Sequence, residues 1–265
     1  MDTTEILHGA RLTVEDLADR LIEILRAQAD MRSKVSSEWT VRDAAAHLIG
    51  TTGMYAELAS GGSSPIPELT PRAIAEYNAA RLADIGESES GLLCKALTVT
   101  VAQFIDATSG RPADTPIKWH GGILIDLAQL TGILVAEFVL HGYDIATATG
   151  VAWPIAPEHA ALGLFGRGAV FPSVADPNTS GGHTGTYLLD LGVAGRLTVR
   201  FVEGVLTVGS GDEPADCEIV TDPVTMLMVS SGRLDPFVAI ALGVYRAGGR
   251  HPHLATGFNR LIYTF

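Results

Sequence analysis

From Thr13 to Met31, apolar side chains recur at Val14, Leu17, Leu21, Ile24 and Leu25. That is the three-and-four spacing of a helix with one buried face. The next periodic stretch starts at "TVRD". Thr40 suits the position before a first helical turn, and Asp43 brings a carboxylate to the unpaired amides there. Trp39, just outside, can fold back over that turn. This second helix is expected to run to about Leu58. "SGGSSPIPELTP" is a loop by its glycine, serine and proline content. A third helical region begins at Pro71, breaks near "GESES" and continues to Thr108, where "SGRPADTP" interrupts the chain again. A fourth helix is expected over Gly121 to Thr149, closed by Gly150. Four long helices joined by three loops predict a four-helix bundle over residues 1–150.

The pattern changes at "VAWPIAPEHA", whose two prolines mark a boundary, so a second domain is expected over residues 155–265. Glu158 to Phe171 reads as a helix. "TYLLDLGVAGRLTVRFVEGVLTVGSG" alternates and turns at glycines, as successive antiparallel strands do. "ADCEIVTD" adds a strand. "PVTMLMVSSG" is a short helix with Pro223 near its first turn and Gly232 at its end, and "HLATGFNRLI" is a last helix. The fold class is therefore α+β in two domains: a helical bundle, then a small sheet flanked by helices. No internal repeat is visible.

Composition narrows the function classes. The chain has 265 residues, 47 % of them hydrophobic, and a formal charge of -12. A general basic field for nucleic acid or an anionic membrane is excluded, so an anionic small molecule must be met by a few placed arginines. The segment "MDTTEILHGARLTVEDLADR" lacks an apolar signal core, and Cys94 and Cys217 lack CxxC spacing. Both points favour a cytoplasmic protein with reduced, buried thiols. Gly121 to Gly142 is long enough to cross a bilayer, but Asp126, Gln129, Glu137 and His141 are costly at that depth. A buried bundle helix explains it better, and its Glu137 and His141 then need partners.

Glu137 and His141 are four residues apart on a helix and share a face. A buried Glu-His pair bonded to neighbouring helices accounts for that much. His47, on an alanine-rich stretch that admits a close neighbour, extends the pattern. Two histidines and a carboxylate on two helices, around an open position, are what a catalytic zinc or similar divalent ion requires. Asp43 and Asp144 could each accept the free ring N–H of a ligating histidine, and Asp43 also serves as a helix-start charge. His120, in "KWHGG", begins the fourth helix, where it could meet substrate near the bundle mouth but is read first as a solvated capping residue. Thr51 and Thr52 stand a turn beyond His47, either near the pocket or bonded to the helix backbone.

"WTVRDAAAHLIG" and "AEFVLHGYDIATATG" together resemble the mycothiol-dependent maleylpyruvate isomerase family, within the DinB-like group of metal-binding four-helix bundles. Trp39, Asp43, His47, Glu137, His141 and Asp144 match the elements of its signature, over roughly the first 150 residues. The resemblance implies His47, Glu137 and His141 as metal ligands, zinc as the ion and mycothiol as the thiol cofactor. Residues 155–265 are similar to a sterol-carrier-like C-terminal domain, in "ADCEIVTDPVTMLMVSSGRLDPF" and "VYRAGGRHPHLATGFNRLI". That domain implies an arginine acting at the metal site. Arg233 in "SGR" is the closest match and Arg250 in "GGRHP" the second, and each also fits a plain surface arginine. The implied chemistry is isomerisation or S-transfer on a small, electrophilic, carboxylated substrate. A metal-activated thiolate adds to a cis double bond, the resulting single bond rotates, and elimination gives the trans isomer. The expected partners are a small-molecule thiol and a small-molecule substrate. Two other readings stay open: a sterol-carrier-type protein that binds a lipid or other hydrophobic molecule, and a thiol-independent DinB-like enzyme acting on a natural-product intermediate.

Overall fold

The apolar stripe beginning at Thr13 extends towards the N-terminus through Ile6, Leu7 and Ala10, so the first helix, α1, spans Thr3–Ala27. This is a computed structural model describing residues 2–27, 30–85 and 89–263. It divides into two compact units, Met1–Ile155 and Ala156–Phe265. α2 spans Val41–Ala59 and opens as expected from "TVRD". Thr40 Oγ1 accepts the Asp43 N–H at 3.3 Å, and Asp43 Oδ2 accepts the Thr40 N–H at 2.9 Å. Two amide donors at the helix start are satisfied reciprocally in this way. α3 (Pro71–Ile85) and α4 (Ser90–Thr108) are separate helices. Of the expected break at "GESES", residues 86–88 lie outside the described residues, and Glu89 stands just before the first turn of α4.

The expected fourth helix is shorter than its apolar run. Pro116–Lys118 (β1) pairs antiparallel with Leu124–Asp126 (β2), and a turn through Trp119–Ile123 joins them. Gly121 and Gly122 reverse the chain with φ of 64° and 75°, where a side chain would be strained. Only at Asp126 does α5 begin, running from Leu127 to Thr149. Asp126 Oδ1 accepts the Gln129 N–H at 2.7 Å, and Gln129 Oε1 accepts the Asp126 N–H at 2.9 Å. Gly150 ends the helix in the left-handed conformation, as expected.

α1, α2, α4 and α5 form the bundle: α1 and α2 each pack on both α4 and α5, and α3 lies against α2. By length and composition α4 could cross a bilayer, but Leu93, Leu97, Val101 and Phe104 are buried on its inner face. After α5, the Trp153 ring packs directly on Gly142, and its indole N–H donates to the Val139 carbonyl at 3.2 Å. The Arg20 guanidinium covers the same ring at 4.3 Å. α1 and the end of the first unit are thereby pinned to the middle of α5.

In the second unit α6 (Pro157–Val170) and α7 (Pro177–Ser180) precede a sheet. Its strands are β3 (Gly185–Asp190), β4 (Arg196–Val202), β5 (Val205–Gly209) and β6 (Cys217–Thr221). α8 (Pro223–Ser230) and α9 (Pro236–Ala241) then lead to the last strand, β7 (Tyr245–Gly248). The spatial order is β5-β4-β3-β6-β7. The expected antiparallel meander holds for β3, β4 and β5. β6 instead joins the other edge of β3 in parallel, with Tyr187 opposite Cys217. Alternate residues bury one face: Tyr187 and Leu189, Val199 and Phe201, Cys217 and Ile219. Phe258 is also buried, and the expected last helix is a run of tight three-residue turns over Pro252–Leu261.

Candidate metal centre

Ala44, Ala45 and Ala46 are buried and methyl-sized, which suits the close approach of α5 to α2. His47 Nε2 reaches Glu137 Oε2 at 3.2 Å across the two helices. One turn along α5, His141 Nε2 stands 3.4 Å from the same oxygen. The ligating atoms of the three residues all lie within 4.8 Å of one another. Donors held 2.0–2.1 Å from a tetrahedral ion are about 3.3 Å apart. The distances of 3.2 and 3.4 Å from Glu137 Oε2 to the two ring nitrogens fit that spacing, so the three residues suit a divalent ion.

The electrostatics agree. Burial alone would raise the pKa of Glu137, but hydrogen bonds from His141 and His47, with their charges, hold it well below the usual carboxylate range. Burial lowers the His47 pKa, and this outweighs Glu137 and Asn78, which favour the charged ring. An anionic oxygen beside a neutral imidazole is the protonation state a cation needs.

Around these residues the structure brings together some candidates and not others. Asp144 Oδ2 lies 3.2 Å from His141 Nδ1, the far side of that ring. The Trp39 indole stacks on His141 at 5.7 Å and tilts against His47 at 5.0 Å. Thr51 Oγ1 lies 3.4 Å from His47 Nε2, whereas Thr52 donates to the Leu48 carbonyl. The carboxylate of Asp43 is engaged by Thr40 and by Arg42 Nη1 at 2.7 Å rather than by His47. Burial would raise its pKa, but these bonds and the Arg42 charge lower it. Asn78, from α3, also acts on the His47 ring and favours its charged form. Sequence reasoning missed it; the one signal was a polar side chain on the turn of α3 that faces α2.

His120 corrects an expectation. It sits in the β1–β2 turn rather than on a helix start, and it is buried, with 4 % of its surface exposed. Ser64 Oγ lies 2.7 Å from its Nδ1, and burial lowers its pKa to about 4. In the second unit, Arg233 follows α8 and its Nη1 donates to the Ser231 carbonyl at 3.4 Å. Arg250 is exposed in the segment after β7. Cys94 and Cys217 are buried thiols, as expected.

A helical bundle carrying two histidines and a carboxylate at metal-binding distance defines a class: a protein with a candidate divalent-metal centre built on two facing helices. The sequence profile of the mycothiol maleylpyruvate isomerase N-terminal domain matches residues 10–146, more than half of the chain and all three of those residues. The chain belongs to the mycothiol maleylpyruvate isomerase family. It is also similar in fold to the crystal structure of the mycothiol-dependent maleylpyruvate isomerase, at 13 % identity and a TM-score of 0.54, covering 94 % of this chain and 93 % of that one. A histidine-to-alanine mutant of that enzyme aligns with the same values. At this identity the likeness shows the fold: a helical region followed by a sheet-containing one. A sec-alkylsulfatase from a Pseudomonas species aligns at a TM-score of 0.33, with 15 % identity, over 82 % of this chain and 32 % of its own, too loosely to bear on function. A search of curated proteins finds no significant match.

Proposed function

We propose that the protein is a metal-dependent enzyme that uses a low-molecular-weight thiol, mycothiol, in isomerisation or S-transfer on a small electrophilic substrate. The observation that carries this is Glu137 Oε2 standing 3.2 and 3.4 Å from two histidine nitrogens, in a chain of this family. His47, Glu137 and His141 would hold the ion, and zinc suits a nitrogen and oxygen donor set with a position left open. When bound, such an ion acidifies a thiol and keeps it as the thiolate nucleophile at neutral pH. The surrounding residues do the rest. Asp144, whose Oδ2 lies 3.2 Å from His141 Nδ1, would take the far N–H of that ring and fix the tautomer whose Nε2 lone pair faces the ion. Asn78 would help to orient the His47 ring. Trp39 lies over both imidazoles and keeps water from one side of them.

A carboxylated substrate also needs a cation. Arg233, and after it Arg250, are the candidates that the family resemblance implies. Neutralising a carboxylate or a developing enolate contributes a few kcal/mol in a dry site. The test is turnover of maleylpyruvate by the metal-loaded protein with and without mycothiol. Turnover that needs both the ion and the thiol supports the proposal. Turnover unaffected by omitting mycothiol removes the thiol from it.

A further inference from the structure

His120 has no part in the function proposed above, yet its ring is held from three directions. Ser64 Oγ accepts the Ile66 N–H at 3.1 Å and has two acceptors within reach, the Ile66 carbonyl at 3.5 Å and His120 Nδ1 at 2.7 Å, so its hydrogen is assigned to the much nearer ring nitrogen. The Trp119 indole stacks on the imidazole at 4.1 Å and 28°, and donates to the Tyr55 hydroxyl at 3.2 Å. The turn itself is tied to the same loop by the Gly121 N–H, which donates to the Ile66 carbonyl at 3.0 Å.

A hydrogen bond received at Nδ1 puts the ring proton on Nε2. Burial keeps the ring neutral, with a pKa of about 4, so at neutral pH it is a fixed N–H donor. Nε2 has no hydrogen-bond partner among the described residues, and it is not among the polar atoms sealed from solvent. A donor this firmly oriented, on a residue 4 % exposed, opens on accessible space.

α2 leads from the metal centre to the His120 ring, with Tyr55 6.2 Å from it, and the Glu137 charge favours its protonated form. On α2, His47, Thr51 and Tyr55 stand on successive turns, with Thr51 beside the His47 ring and Tyr55 in contact with Trp119. The eight steps from His47 to Tyr55 rise about 12 Å along the helix. This is too far for the reacting atoms and suits the body of an extended ligand. A thiol such as mycothiol carries amide carbonyls and sugar hydroxyls at that reach.

We propose that the Nε2–H of His120 donates a hydrogen bond to an oxygen on the body of the thiol ligand and so sets which thiol the site accepts. The inference rests on the thiol-dependent reading above. Ser64 acts through His120 by fixing its tautomer.

The experiment is calorimetric titration of the zinc-loaded full chain with mycothiol, alongside zinc content and circular dichroism for each variant. His120→Phe should weaken binding about tenfold, the value of one hydrogen bond to a ligand, with zinc content unchanged. His120→Gln, which keeps an N–H near the place of Nε2, should stay near the wild type. His120→Asn, which places its amide near Nδ1 instead, should bind as poorly as His120→Phe and replaces it if that variant does not fold. Ser64→Ala should fall between. Wild-type affinity in His120→Phe or His120→Asn, or equal loss in His120→Gln, overturns the role of His120 alone. A wild-type protein that takes up zinc but no mycothiol overturns the thiol reading and this inference with it.

Discussion

At the scale of single residues, the two acidic neighbours of the centre are predicted to behave differently. Asp144 faces the outer nitrogen of His141, and partners of that kind are worth about 10- to 100-fold in metal affinity. Asp144→Ala should therefore bind zinc more weakly in a competition titration, with little change in folding. Asp43 is committed to Thr40 and Arg42. Asp43→Ala should cost about 1 kcal/mol in denaturant unfolding, as a lost helix cap does, and leave zinc affinity near the wild type. His120 gives a pH signature. Its folded pKa of about 4 lies below its ordinary 6.5, so between these values the unfolded chain takes up a proton that the folded one does not. Its contribution is complete above pH 6.5 and is lost as pH falls towards 4, amounting to about 3 kcal/mol. Unfolding midpoints at pH 7 and pH 4.5 should differ more for the wild type than for His120→Gln. The three candidate ligands, which the structure brings together, could be picked out in the sequence because two share a helical face and the third sits among alanines. Asn78 and the burial of His120 could not, because both depend on which surface of α2 or of the loop meets them.

Among the elements, α5 carries most of the site, and its contact with Trp153 fixes it. A Cβ on Gly142 would lie 2.1 Å from Trp153 Cζ2, inside any real contact distance. Gly142→Ala should therefore destabilise the protein by about 1–3 kcal/mol, the usual cost of overpacking. It should also weaken metal binding, because the residue follows His141 directly. A combined unfolding and zinc titration checks both outcomes. α1 could be read from its apolar spacing and α2 from its cap at "TVRD", whereas α4 could be read only as the continuation of the helical region begun at Pro71. The start of α5 could not, since the apolar run passes through the β1–β2 turn without a change of period. Its one written sign was Asp126 with Gln129 three residues on. The parallel pairing of β3 with β6 was equally hidden, because a period of two does not say which strand will be the neighbour.

For the whole molecule, the class was legible: a helical unit, then a unit built on a small sheet. The two compact units divide in sequence between Ile155 and Ala156. Which ligand the second unit serves was not legible, since its surface arginines carry no spacing that marks a site. A metal bound only by the folded chain must raise its stability by mass action, about 4 kcal/mol at a thousandfold excess over the dissociation constant. Zinc should raise the melting temperature of the wild type, a chelator should reverse this, and His47→Ala should respond to neither. The central proposal is a divalent ion at His47, Glu137 and His141. Elemental analysis of purified wild type and of folded His47→Ala tests that most directly. About one divalent ion per chain in the wild type and a loss of most of it in the variant is the predicted result. The same metal content in both proteins, or none in the wild type after loading, would contradict it.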